Sequence, residues 1–277
     1  MKNIKLVATD LDGTFLKDDR SISRDNLDAL HLLGSRNITR VVATGRNLKK
    51  VTDVIHQEVP FDFIVYSSGA GVYDWRKREH IYNQNITEDS AFKLVNHFIG
   101  KNYNFYASAP APGNHKLWYH KGRNDCCEFN LYLDLHYSFV KPLPPDGLEN
   151  NGICQFLLII PEDEIIFSCL KNEIESQCSE IRVIRSSSPV TKGYIWVEVF
   201  HKHVSKANGV KLICDKLGIH RRDTLGIGND YNDVDLLEFT ACSFITDNAP
   251  YPLKSRFIPA LSNEENAFAD AVSCLLS

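Results

Sequence analysis

Residues 4–16 read IKLVATDLDGTFL, an apolar run of Ile4, Leu6, Val7 and Ala8 that stops on two aspartates, Asp10 and Asp12. Side chains of a strand alternate faces, so residues two apart point the same way, and two carboxylates placed there repel one another unless a cation lies between them. Gly13 lets the backbone turn sharply and come close to a ligand, and Thr14 offers a hydroxyl and an amide beside the carboxylates. The stretch also suits an Asx-rich turn at a strand end, so the rest of the chain has to decide.

Working outward, apolar runs alternate with amphipathic helical patterns: a helix from about Arg24 to Arg36, a strand Val41 to Thr44, a helix from about Leu48 to Gln57 and a strand Phe61 to Tyr66. This βαβαβ rhythm predicts a parallel sheet covered by helices. Ser23 is placed to cap the first helix and Asn37 to end it in the left-handed region, with Leu27, Leu30 and Leu33 on the core face. The rhythm returns late, with a helix Lys206 to Leu217 stopped by Gly218, a strand Thr224 to Ile227, a short helix near Asp233 to Phe239 and a strand Cys242 to Thr246.

Between the two stretches the pattern changes. A helix near Ala91 to Ile99 is followed by aromatic strands Tyr103 to Ala107 and Leu117 to His120 and by the turn-rich KPLPPDGLENNG. A strand Cys154 to Ile160, a helix Glu164 to Gln177 and strands Ile181 to Ile184 and Ile195 to Phe200 complete it. The fold expected is α/β: a Rossmann-like, doubly wound parallel core formed by 1–80 and 201–277, with an inserted α+β cap domain at 81–200.

Ligands of open parallel sheets sit beyond the carboxyl ends of the strands. Asp10 and Asp12 lie there, as do Thr44 at the end of RVVATGR and Gly228, Asn229 and Asp230 after DTLGI. Singly, Thr44 reads as a turn hydroxyl and Lys206 as a solvated helix residue; their joint placement points to a site.

Composition bounds the partners. The chain has 277 residues, 43% hydrophobic, enough to fill a core, and a net charge of -4, which supplies no broad basic field for nucleic acid. A small anion would need a local positive site. No run of about 18 apolar residues and no signal-like segment after MKNIKLVATD occurs, so no membrane span and a cytoplasmic location are expected. The eight cysteines form no CxxC pair, which favours reduced and mostly buried thiols over a disulfide frame or a zinc site.

Four pieces in order resemble the haloacid dehalogenase superfamily, specifically its Cof-type sugar phosphatases with a large α/β cap. Asp10 to Thr14 match DxDGT, and Thr44 in ATGR matches the threonine that ends the second strand. Lys206 in VSKANGV matches the lysine that opens a helix. Gly228 to Asp233 in GNDYNDVDLL match GDxxND, except that Asn229 stands where a metal-binding aspartate is usual and Asp230 follows it. Ser68 to Ala70 sit where NGA is frequent, and Asn248 with Ala249 match an NA near the phosphate site.

The resemblance implies a Mg²⁺-dependent phosphatase acting on a small phosphorylated metabolite such as a sugar phosphate. Asp10 would be the nucleophile and Asp12 the acid and then the base, while Thr44 and Lys206 hold the phosphoryl oxygens. Metal oxygens would come from Asp10, the Asp12 carbonyl and one or two of Asn229, Asp230 and Asp233, with Asp233 alternatively orienting Lys206. Thr14, Arg46 and Asn248 would face substrate. A phosphomutase would share all of these residues, and the asparagine at 229 leaves room for a catalytically idle phosphate-binding protein.

Within the cap, Tyr103, Tyr106, Trp118 and Tyr119 offer sugar-stacking faces, and His115, Lys116, His120, Lys121 and Arg123 offer polar contacts; half or more of the aromatics are expected to be core instead.

Overall fold

Asp10 leaves a strand buried along its whole length: β1, Leu6–Thr9, lies inside a sheet rather than at its edge. The computed structural model describes residues 4–144 and 152–276. The chain divides into two units, Met1–Tyr82 with Ser205–Ser277, and Asn83–Val204.

In the first unit, β1 is followed by β2 (Thr39–Ala43), β3 (Phe63–Tyr66), β4 (Gly71–Asp74) and β5 (Glu79–Asn83). The second unit contributes β6 (Phe105–Ser108), β7 (Leu117–His120), β8 (Val140–Pro142), β9 (Gln155–Pro161), β10 (Ile181–Ser187) and β11 (Tyr194–His201). The chain then adds β12 (Thr224–Gly228), β13 (Cys242–Ile245) and β14 (Ile258–Pro259) to the first sheet.

The first sheet has the order β14-β13-β12-β1-β2-β3-β4-β5. It is parallel from β14 to β3 and turns antiparallel at β4. Leu6 and Ala8 of β1 pack with Val41, Ala43, Phe63 and Val65 against Val210, Ile213 and Leu236. Those three residues belong to the helices Lys206–Leu217 and Val234–Phe239. On the loop that leaves β1, Phe15 meets Phe61 and Phe268 edge-on, each at a ring distance of 5.1 Å. The doubly wound core expected from the sequence is the fold observed.

Helices follow chain order: α1 (Arg24–Ser35), α2 (Leu48–Thr52), α3 (Glu88–Gly100), α4 (Cys127–Leu135), α5 (Glu164–Gln177), α6 (Lys206–Leu217), α7 (Val234–Phe239), α8 (Tyr251–Lys254) and α9 (Ala267–Leu276). Ser23 caps α1 by accepting from the Asn26 amide, and Asn37 has φ 56°, both as read from the sequence. Buried Asn26 in turn donates to the Phe15 carbonyl at 2.9 Å and anchors the loop behind the two aspartates.

Several elements differ from the sequence reading. The helix α2 ends at Thr52 rather than near Gln57, where the β-branched Val51, Thr52, Val54 and Ile55 weaken a helix that Pro60 would soon stop anyway. The β4–β5 ribbon was not expected; its turn is held by Asp74, whose Oδ1 accepts from the Lys77 amide at 2.9 Å. In the second unit α4 and β8 are additional, and most of KPLPPDGLENNG falls on residues 145–151, outside those described.

The second unit is a six-stranded sheet, β10-β11-β9-β6-β7-β8, antiparallel except where β7 meets β8. Phe105, Phe156, Leu158, Val197 and Val199 pack on Leu94 and Phe98 of α3 and Phe167 and Leu170 of α5. Tyr106 lies on the opposite face, stacked on Phe129 of α4 at 4.4 Å with its hydroxyl donated to the Phe129 carbonyl. The residues considered for sugar contact therefore divide. Tyr103 and Trp118 pack against the α3 and α5 core, and Tyr103 donates its hydroxyl to Glu173. His120 stacks on Phe105, whereas Lys116, Lys121 and Arg123 are exposed.

The eight cysteines are free, but only Cys154 and Cys214 are buried, fewer than the sequence reading expects. Among the described residues no helix is long and apolar enough to cross a membrane.

Candidate active site

Neighbouring parallel strands β2, β1 and β12 bring their carboxyl ends together, and with them Thr44, Asp10 and Asn229. Asp10 is 5% exposed and its amide is fixed by the Ile227 carbonyl of β12 at 2.9 Å. Its Oδ1 accepts a 2.5 Å hydrogen bond from Lys206 Nζ.

Lys206 opens α6, a helix capped by Ser205, whose Oγ accepts from the Asn208 amide. A cation at a helix N-terminus opposes the helix dipole, and a buried one loses its hydration as well. Lys206 is nevertheless 1% exposed, because two carboxylates meet it: Asp10 and Asp233, each 2.5 Å from Nζ. Burial alone would lower the lysine, but the two aspartates outweigh it and hold the ammonium above the ordinary lysine value. Burial pushes the Asp10 carboxyl up to about 8, with Lys206 opposing the rise and Asp233 and Asp12 adding to it. A cation beside Asp10 would favour the ionised form that a nucleophile needs.

Asp233 is fully buried and spends both oxygens locally. Its Oδ1 takes Lys206, and its Oδ2 accepts from the backbone amides of Asn229 at 2.8 Å and Asp230 at 3.0 Å. Gly228 makes room for this, since a Cβ there would stand 2.6 Å from that of Asp233. The Asp230 carboxylate accepts from the Asp233 amide and caps the turn Tyr231–Asp233.

A family model of the haloacid dehalogenase-like hydrolases matches residues 7–272 and so takes in every group just described. The chain belongs to this family. The protein is therefore an enzyme, a hydrolase of the superfamily whose Cof-type branch its motifs resemble. Bacillus subtilis phosphatase YwpJ is 25% identical, over 99% of this chain and 100% of that protein. The B. subtilis 5-amino-6-(5-phospho-D-ribitylamino)uracil phosphatase YwtE is 24% identical, over 99% of each. The subclass IIB sugar phosphatase BT4131 superposes with a TM-score of 0.76 at 17% identity, over 98% of each chain, a likeness of fold.

In this haloacid dehalogenase-like hydrolase the residues expected to hold a metal separate into two groups. The outer atom of the Asn229 amide lies 3.0 Å from the Asp12 carbonyl oxygen, 3.3 Å from Asp10 Oδ2 and 3.2 Å from Thr14 Oγ1. Octahedral Mg²⁺ with bonds of about 2.1 Å sets adjacent ligand oxygens about 3.0 Å apart, close to the spacing of the Asn229 amide from the Asp12 carbonyl and from Asp10 Oδ2, and all three groups can offer the hard oxygens such an ion takes. Asp230 and Asp233, read from the sequence as further metal oxygens, are instead turned to backbone amides and Lys206. Among the described residues no cluster of three or more His, Cys, Asp or Glu side chains could hold a metal, so the fit rests on one carboxylate, a carbonyl and an amide.

The three expected substrate contacts also have other partners. Arg46 grips the Asp12 carboxylate with two hydrogen bonds of 2.6 Å. Thr14 is buried, its hydroxyl 3.2 Å from Asn229 Oδ1. Asn248 donates to the Gly13 carbonyl at 2.9 Å and accepts from the Asn263 amide at 3.2 Å, which pins the aspartate turn. Thr44 is 1% exposed, and its Oγ1 accepts from the Arg46 amide at 3.1 Å.

Two residues that lie within the quoted motifs but carry no role in the sequence reading join the site. Asn232 Oδ1 lies 3.4 Å from Lys206 Nζ, and the doubled Asn-Asp of GNDYND is the signal that could have found it. The Ser68 hydroxyl is buried without a hydrogen-bond partner among the described residues, and a Cβ on Gly45 would lie 3.6 Å from it. Ser67 and Ser68 both hold positive φ, 49° and 54°, a costly conformation for serine that strained functional loops retain.

Proposed function

We propose that the chain is a Mg²⁺-dependent phosphatase that hydrolyses phosphate monoesters of sugars or similar small metabolites through an aspartyl-phosphate on Asp10. The observation that carries this reading is Asp10 itself. It is a buried carboxylate with one oxygen on a lysine and the other 3.3 Å from the Asn229 side-chain amide, at the carboxyl end of a central parallel strand.

Asp10 Oδ2, the Asp12 carbonyl and Asn229 would hold Mg²⁺, which when bound supplies positive charge beside the nucleophile and the phosphoryl group. Asp10 Oδ1, oriented by Lys206, attacks phosphorus as the ester P–O bond breaks, and the departing alkoxide takes its proton from the Asp12 carboxyl. A water then gives its proton to Asp12 and attacks the phosphorus, which breaks the bond to Asp10 and releases inorganic phosphate. Lys206 and Thr44 steady the phosphoryl oxygens, with the ammonium offsetting the charge that builds on them.

These groups recognise a phosphate and little else, so choice of substrate falls to the unit Asn83–Val204, in the role of a cap. A phosphorylated polyol or sugar is the class favoured, since the similar YwtE is named for a phosphoribityl substrate and BT4131 for sugar phosphates. Phosphate release from a generic aryl phosphate and from a panel of sugar phosphates tests the reading. Excess chelator should abolish release and Mg²⁺ restore it; full activity in chelator would rule the mechanism out.

A further inference from the structure

The Asn229 amide can be set two ways in the same place, and without a cation only one of them satisfies both of its ends. With Oδ1 inward, the amide accepts from the Thr14 hydroxyl and faces two other oxygens, the Asp12 carbonyl and Asp10 Oδ2, an arrangement that calls for a cation. With the amide turned over, Nδ2 in the same place donates to Asp12 O at 3.0 Å, Thr14 Oγ1 at 3.2 Å and Asp10 Oδ2 at 3.3 Å, and every group is satisfied without one. Only the amide has to turn about its Cβ–Cγ bond, but the two settings differ in energy: with Oδ1 inward Nδ2 is set against donors alone, so without a cation the Nδ2-inward setting is the one that satisfies both ends.

We propose that Asn229 makes this metal site self-filling: its Nδ2 takes the place of the cation in the metal-free enzyme, and a half-turn of the amide presents Oδ1 as a neutral ligand when Mg²⁺ enters. This rests on the metal-dependent reading above and concerns how the same site is regulated. An aspartate at this position has acceptors only, so without metal it would face Asp10 Oδ2 and the Asp12 carbonyl with like charge and no donor. Asparagine thus keeps the site assembled when empty, at a cost in affinity, because the metal gains one less negative ligand and must displace three hydrogen bonds. Asp230 does not restore the missing charge, since its carboxylate caps the following turn.

The test compares the full-length wild type with Asn229→Asp, both stripped of metal and then titrated with MgCl₂ by calorimetry and by thermal unfolding. The variant is expected to bind Mg²⁺ about tenfold more tightly or better. It should melt at a lower temperature than wild type in chelator and gain more from saturating Mg²⁺. On the wild type alone, the Asn229 side-chain amide, followed by nitrogen-15 NMR, should exchange slowly with water without metal and faster with it.

Equal affinities, a metal-free variant as stable as wild type, or an Asn229 amide indifferent to Mg²⁺ would each overturn the proposal. If both proteins bind Mg²⁺ and bind it alike, only this inference falls; if neither binds, the metal-dependent reading of the function falls with it.

Discussion

Arg46 closes on Asp12 through two parallel hydrogen bonds, Nε to Oδ2 and Nη2 to Oδ1, both 2.6 Å long. The arginine is the more buried partner, 16% exposed against 47% for the aspartate, and its Nη1 is held by the Lys50 carbonyl. The proposed acid and base is therefore aimed by a rigid fork rather than left to rotate. Lysine could not reproduce that geometry.

Arg46→Met should release the Asp12 carboxylate from this aim. A sugar alkoxide leaves only with a proton, whereas nitrophenolate leaves unaided. Turnover of a sugar phosphate is expected to fall on the order of 10- to 100-fold, short of the 10²–10⁴ that general acid–base catalysis contributes, and that of nitrophenyl phosphate much less. Steady-state kinetics on the two substrates decide it. Equal losses would place Arg46 on the phosphate instead of on Asp12.

The two aspartates should separate cleanly in a rapid-mixing experiment. Asp10→Asn lacks the nucleophile and should form no phosphoenzyme with any substrate. Asp12→Asn keeps the nucleophile and the carbonyl but loses the proton donor and later base. With nitrophenyl phosphate it should release one nitrophenolate per enzyme in a burst and then stall. A burst from Asp10→Asn, or wild-type steady turnover by Asp12→Asn, would reverse the assignments.

Lys206 is expected to carry stability as well as catalysis. Lys206→Met leaves Asp10 and Asp233 buried without their shared cation, which should cost about 3 to 5 kcal/mol in denaturant unfolding. Little change in stability would mean that the two carboxylates find other partners.

Lys50 has its own pH signature. Burial, with Arg46 and Arg20 nearby, lowers its ammonium to about 8, from 10.5. Between those values the unfolded chain binds more protons at this residue than the folded one, so its contribution makes stability rise with pH. Lys50→Met should therefore stabilise the protein most below pH 8 and progressively less toward pH 10.5, as read by melting temperature across that range. A pH-independent difference would show that the ammonium is not strained.

Much of this was legible in the sequence because it depends on local pattern. Ser23 and Asn37 bound α1 by capping and left-handed geometry, and the apolar run Leu6, Val7 and Ala8 marks a buried strand whose end must present Asp10 and Asp12. Parallel pairing of β1 with β2 and β12 follows from the βαβ rhythm, and it gathers Thr44, Lys206 and Asn229 near those aspartates. The ends of α2 and the β4–β5 ribbon were not legible, because weak helix propensity and a four-residue turn are settled by what packs against them.

Which partner each polar group takes was decided by the tertiary structure alone. Asp230 and Asp233 carry the same carboxylate as Asp10, yet the turn after β12 feeds them backbone amides and Lys206, while Asn229 is the residue left facing Asp10. Arg46 is two residues beyond Thr44 in the chain and binds Asp12, 34 residues before it. Residue type and spacing name the groups that can reach a site. A hydrogen bond or ion pair is won by whichever of them the fold holds within about 3 Å at the right angle, and that choice depends on strands and turns distant in sequence.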